Sequence, residues 1–274
     1  MNHLNKISIW ISILVLAIAF TSCKKDTVET VDPTVGLTKI AEGYAVGAGA
    51  KVKLYAASGS IKTGYTKFYI MLSDSTSGTT IQDAHIHLTP MMDMGMMQHS
   101  APVENPESEE AVNQLYPCSV TFIMPSMGGS WTLEVEVHNH LTDKEGSVTF
   151  PITVTDPVKA TVKSFTGLHD NQKYFVALIN PAKPIVGIND LEFAIYKKAS
   201  MMSFPADSSL LLSFTPEMPT MGHGSPNNVQ PIHVGNGHYK GKVNFTMTGL
   251  WRLNNELTSN GAIADSTQFF EIEF

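Results

Sequence analysis

Residues 116–137 decide the fold. They read Tyr116-Pro-Cys-Ser-Val-Thr-Phe-Ile-Met124, then a short polar turn, then Trp131-Thr-Leu-Glu-Val-Glu-Val137. Apolar residues fall on alternate positions in both runs. This puts Val120, Phe122 and Met124 on one side of a strand, and Trp131, Leu133, Val135 and Val137 on one side of the next. The same text returns downstream. Tyr239-Lys-Gly-Lys-Val-Asn-Phe-Thr-Met247 matches the first run at a spacing of 123, and Trp251-Arg-Leu253 matches Trp131-Thr-Leu133 at 120. Residues 64–72 match residues 187–195 at 123, and Met94-Gly-Met-Met97-Gln-His99 matches Met218-Pro-Thr-Met221-Gly-His223 at 124. Matching blocks in one order indicate a duplication. Its boundary falls near Asp156-Pro157, a turn-type dipeptide.

Each copy reads as all-β. Strands are expected at residues 51–57, 66–72, 84–89, 118–124, 131–137 and 147–154. Their counterparts are 174–179, 191–196, 210–214, 241–247, 251–257 and 268–274. No sustained 3.6-residue stripe follows the N-terminal segment. Six or seven short strands in ~120 residues point to an antiparallel β-sandwich of immunoglobulin-like type, here two in tandem: residues 37–155 and 156–274.

Composition narrows the function classes. Hydrophobic residues make up 43% and charged residues 16%, which excludes an intrinsically disordered chain. The net charge is −7, so a basic nucleic-acid footprint is absent. Two cysteines cannot form a disulfide framework.

The N-terminus is an address. Residues 7–20 are apolar apart from Ser8 and Ser12, too short a run to span a bilayer and suited to a secretory signal. Phe20-Thr21-Ser22-Cys23 follows. This resembles a bacterial lipoprotein signal, which implies cleavage after residue 22 and lipidation of Cys23. Residues 23–36 then form a tether, and the membrane is a partner through the lipid. The expected location is the cell envelope, on the periplasmic or surface face of the outer membrane. Cys118 becomes the lone thiol and reads as buried and inert.

Long connections join the third and fourth strands of each copy, at residues 90–115 and 216–238. Connections beyond ~12–15 residues are usually functional or disordered. Both open with Thr-Pro and both contain Met-x-x-Met-x-His. The first is the richer, with Met91, Met92, Met94, Met96, Met97 and His99 following His85 and His87. Thioether sulfur is soft and suits Cu(I), and imidazole binds copper in both oxidation states. Methionine needs no deprotonation to ligate, whereas a Cys thiolate would bind Cu(I) more strongly but oxidises readily outside the cytoplasm. The other reading of the same residues is a Met-rich apolar patch that binds a protein. His138 and His140 share a face at a strand end, either as a solvated terminus or as a second metal site. His233 and His238 read as surface residues at the return of the second loop. No EF-hand spacing, Gly-x-Ser-x-Gly, phosphate-binding loop or His-Glu-x-x-His occurs, so a calcium site and an enzyme are both disfavoured.

Pro216-x-Met-Pro-x-Met-x-His223, Gly237-x-Tyr239-x-Gly241-x-Val243-x-Phe245 and Gly249-x-Trp251-x-Leu253 together resemble the YtkA/FixH-like domain. The first copy, with His99, Tyr116, Phe122, Met124, Gly129, Trp131 and Leu133, is a looser match. The resemblance implies a small immunoglobulin-like sandwich linked to copper handling or cytochrome oxidase assembly. It also implies Met94, Met97 and His99, and Met218, Met221 and His223, as ligand positions. Copy one departs from the pattern, with Gly95 in place of Pro219 and extra methionines. His85, His87, Met91, Met92 and Met96 are therefore possible additional ligands. The expected function is a lipid-anchored, non-enzymatic protein that buffers or transfers Cu(I), with a copper-handling or oxidase-assembly protein as partner. The alternative is a non-catalytic interaction module.

Overall fold

A computed structural model describes residues 32–274, so the signal segment and Cys23 lie outside the described residues. The first half contains β1 (Thr38–Ala45), β2 (Ala50–Ala56), β3 (Ile61–Lys62), β4 (Gly64–Asp74), β5 (Thr80–Ile81), β6 (Ala84–Asp93), β7 (Gln98–His99), β8 (Val103–Glu104), β9 (Tyr116–Phe122), β10 (Ser130–Asn139), β11 (Lys144–Ile152) and β12 (Val154–Thr155). The second half contains β13 (Val162–Thr166), β14 (Lys173–Asn180), β15 (Gly187–Lys197), β16 (Leu211–Met218), β17 (His223–Gly224), β18 (Val229–Gly235), β19 (His238–Phe245), β20 (Leu250–Ser259), β21 (Ala262–Asp265) and β22 (Phe269–Glu273).

Each half is a pair of antiparallel sheets around its own core. In the first, β1-β2-β4-β9-β8 faces β11-β10-β6-β7. In the second, β13-β14-β15-β19-β18 faces β17-β16-β20-β21, with β22 also on β20. The chain is all-β, with tandem immunoglobulin-like sandwiches. The alternating runs face inward as their pattern requires. Val120, Phe122, Leu133 and Val135 are fully buried, as are Val243, Phe245, Trp251 and Leu253. The repeat is also a repeat of register. Gly64 pairs with Phe122 and Gly187 with Phe245, and both glycines sit at positive φ, 113° and 108°. The second core begins at Phe165, so residues 156–161 belong to neither hydrophobic cluster.

Two features depart from expectation. The strand expected to stop at Thr89 continues through Pro90 to Asp93, and its counterpart runs through Pro216 to Met218. Proline is accepted there because β7 covers β6 only at Met92 and Asp93, leaving an open edge at Pro90 where no partner needs an N–H. The residue on the same edge that does carry an N–H is capped by a side chain. Leu88 N donates to Asn105 Oδ1 and Phe214 N donates to Gln230 Oε1, both at 2.9 Å, which satisfies the exposed edge without a further strand. Each long connection thus begins as a hairpin, β6–β7 or β16–β17, before the chain returns to β9 or β19.

The halves also touch. β9 is buried on both faces, with Thr121 Oγ1 donating to the Tyr196 hydroxyl at 3.4 Å, and Thr161 Oγ1 donates to Thr63 O at 3.0 Å ahead of β4.

Candidate functional site

The β6 extension carries Met92 into a row of three. Met92 is the register partner of Trp131 on β10 and of His99 on β7, so the three side chains share the inward face. Met92 is fully buried, His99 is 5% exposed and Trp131 is 1% exposed. Gly129 makes room for the row. A Cβ at that position would lie 2.7 Å from Met92 Cε and would also strike the Asp93 carbonyl. The second copy repeats the construction. Met218 pairs with His223, and Glu217 pairs with Arg252, which sets Met218 beside Trp251. A Cβ on Gly249 would come within 2.9 Å of Met218 Cε. The Gly-x-Trp motif is therefore a seat for a methionine methyl, with the indole as its wall.

A fourth side chain closes the row from the opposite sheet. Trp131 Nε1 donates to Met124 O at 3.0 Å, and Trp251 Nε1 donates to Met247 O at 3.0 Å. These bonds hold each methionine at the end of β9 or β19. In the first copy the His99 ring meets Trp131 edge-on, with centroids 5.4 Å apart. Its Nδ1 stands 2.7 Å from Ser100 O. A carbonyl can only accept, so Nδ1 bears the hydrogen and the neutral ring keeps its lone pair on Nε2. That lone pair points at Met124 Sδ, 3.1 Å away. Thioether sulfur is itself an acceptor. Two electron-pair donors thus face one another beside the buried row, an arrangement that a soft cation would stabilise. In the second copy His223 Nδ1 lies 2.9 Å from Gly224 O and the ring lies 5.9 Å from Trp251, while Met247 is 38% exposed.

The other candidate ligands lie elsewhere. Met94, Met96 and Met97 occupy the β6–β7 turn, 41%, 103% and 54% exposed. Gly95 permits that turn at φ 82°, and Asp93 Oδ1 accepts from its N–H. Met221 lies in the β16–β17 turn, closed by the Met221 and Gly222 N–H groups on Met218 O. The Met92–His99 pair encloses six residues and the Met218–His223 pair four, so Met92, not Met94, is the counterpart of Met218. His85, His87 and Met91 point outward from β6, on the face opposite Met92. His87 Nδ1 accepts from Asn105 Nδ2 at 3.0 Å, which satisfies it on that face.

Met124 and Met247 close the repeated run in both copies, and nothing in the sequence marks them as ligands. Cys118 is buried with Sγ 3.8 Å from Phe68 O, and burial pushes its thiol well above the usual range. Among the described residues no three His, Cys, Asp or Glu side chains are gathered to hold a metal ion. A metal at the inner row would depend on thioethers.

Residues 168–255 match the family described as YtkA-like. No curated protein matches the chain. Among solved structures, the chain is similar to an integrin-binding bacterial invasin at 11% identity and TM-score 0.26, covering 87% of this chain and 38% of that one. It is similar to domains 5–6 of the S-layer protein SbsC at 12% identity and TM-score 0.28, covering 86% and 96%. It is also similar to a chimeric titin Z1Z2 at 10% identity and TM-score 0.22, covering 78% and 89%. The chain thus spans well under half the length of the invasin.

Proposed function

We propose that the chain is an envelope lipoprotein, anchored through Cys23, that holds Cu(I) as cargo at its Met/His rows and passes it to a copper-handling or oxidase-assembly partner. The observation that carries this reading is His99 Nε2 facing Met124 Sδ at 3.1 Å with Nδ1 already committed to a carbonyl. Imidazole and thioether are the donors a soft monovalent ion selects. Met92 supplies a second thioether in the same row. The corresponding set in the second copy is Met218, His223 and Met247. Admitting an ion requires Met124 Sδ to swing away from the ring, which its three side-chain torsions allow.

The test is anaerobic competition against a Cu(I) chelator. Changing Met92, Met124, Met218 and Met247 to Leu, and His99 and His223 to Gln, keeps the volume of the core close to its original value. That variant is expected to melt cooperatively and to leave copper with the chelator. Copper retention equal to wild type overturns the reading. The exposed thioethers at Met94, Met96 and Met97 support a second reading, a protein-binding patch; copper-independent capture of a partner through these residues would favour it.

A further inference from the structure

The outward face of the β6–β10 pair carries a second cluster, on the other side of the strands from the thioether row. His85 and His138 are directly opposed in the β6–β10 register. One residue pair further along that face, His140 meets Asp83, with Nδ1 2.6 Å from Oδ1. The four residues form a square on one face. The His138 and His140 rings already touch, 4.9 Å between centroids at 83°. Each ring has one nitrogen turned to a carboxylate: His140 Nδ1 to Asp83, His85 Nδ1 to Glu109 at 3.3 Å, and His138 Nε2 to Asp143 at 3.0 Å. A carboxylate on one imidazole nitrogen fixes the N–H there and leaves the lone pair on the other, the usual outer-shell arrangement of metal-bound histidine. The free nitrogens are His85 Nε2, His140 Nε2 and His138 Nδ1. Glu145, opposite His138 on β11, brings Oε1 to 3.9 Å from that Nδ1.

The duplicated half provides an internal control. On the matching β16–β20 pair, Leu211 stands opposite Thr258, and the sequence positions corresponding to Asp83 and His140 hold Ser209 and Asn260. The strand pairing therefore forms without a histidine or an acid at any of these places. Folding does not account for three imidazoles and their carboxylates in the first half.

We propose that His85, His138 and His140, with Glu145 as a fourth donor, form a site for a borderline divalent transition ion of the Zn(II) or Cu(II) type. Such ions prefer imidazole with carboxylate, whereas the inner row offers thioethers to a soft ion. The strand register places the donors at neighbouring positions of one face, with their side chains not yet gathered. Rotation of the rings, which are 26% to 59% exposed, completes the gathering. The site is independent of the copper reading, since it shares no ligand with the inner row.

The experiment uses untagged mature protein, Zn(II) as the sole metal, and equilibrium dialysis with metal analysis. One Zn(II) per chain is expected. The combined variant His85→Leu, His138→Thr and His140→Asn installs the second half's residues; it should lose that equivalent with an unchanged melting curve. Asp83→Asn should weaken binding about tenfold, through the support of His140. The Met92→Leu, Met124→Leu variant should bind Zn(II) as wild type does. No saturable uptake by wild type, or equal uptake by the triple-histidine variant, overturns the proposal. Loss of Zn(II) in the methionine variant would move the ion to the inner row and overturn it as well.

Discussion

His238 Nε2 lies 2.8 Å from Glu104 Oε1, joining residues 134 apart and belonging to different sandwiches. The other ring nitrogen, Nδ1, stands 3.0 Å from Glu192 Oε1. Glu104 also accepts from the Tyr196 and Tyr65 hydroxyls, each at 2.8 Å, and from Ser119 Oγ at 2.9 Å. The imidazolium is thus clamped between two carboxylates at the junction.

That clamp sets a pH window. Hydrogen bonds to Glu104 and then Glu192 raise His238 from an ordinary 6.5 to about 9. Its contribution is complete below 6.5 and disappears as pH rises through about 9. Burial alone would raise the Glu104 carboxyl, but hydrogen bonds from His238, Tyr196 and Tyr65 prevail and lower it from 4.5 to about 2. Its contribution is complete above 4.5 and disappears as pH falls toward about 2. Thermal melts across pH should therefore weaken on both sides of a plateau between those ordinary values. His238→Gln should flatten the alkaline limb and lower the stability at neutral pH. An unchanged alkaline limb in the variant would refute the clamp.

Asn255 is buried, and neither its Oδ1 nor its Nδ2 has a protein partner. The equivalent position in the first half is Val135, fully buried. Asn255→Val should stabilise the protein by about 1–3 kcal/mol, by removing two unmet polar atoms. Chemical denaturation measures this, and a lower midpoint at constant slope would contradict it.

Gly129→Ala should destabilise the first half by about 1–3 kcal/mol, because the new methyl enters the space of Met92 Cε and the Asp93 carbonyl. Displacing Met92 should also weaken Cu(I) retention. Equal stability and equal retention would show that the row is not packed against the glycine.

The turn and the row should separate in a copper competition assay. Met94→Ser, Met96→Ser and Met97→Ser together should leave the equilibrium affinity within about twofold, whereas Met124→Leu should lower it at least tenfold, about 1.4 kcal/mol. The reverse ranking would return the site to the turn.

Cys23→Ser should move the protein from the membrane to the soluble fraction on cell fractionation. Unchanged membrane retention would exclude a lipid anchor at that residue.

The reach of the sequence can be traced residue by residue. Trp131 and Trp251 mark their strands because a period of two is unbroken around them. β1 escapes the same reading because a bulge between Lys39 and Ala41 breaks its period. The Met-x-x-Met-x-His match pairs Met94 with Met218 because methionines are dense there, and the two-residue difference between the Met92–His99 and Met218–His223 spacings stays hidden until the register with Trp131 is known. His238 looked like surface because its partners, Glu104 and Glu192, are remote along the chain. Met124 was visible as a repeated residue and was read only as core, since nothing in the sequence brings His99 to it.

The placement of the methionines has a consequence under oxidative stress. Peroxide and hypochlorous acid convert accessible thioethers to sulfoxides. Met96 stands fully exposed at the tip of the β6–β7 turn, with Met94 and Met97 beside it, while Met92 and Met218 are sealed in the sandwich interiors. The turn therefore meets an oxidant before Met92 and Met218 do, and sulfoxide should accumulate at Met96 while those two buried thioethers are still reduced.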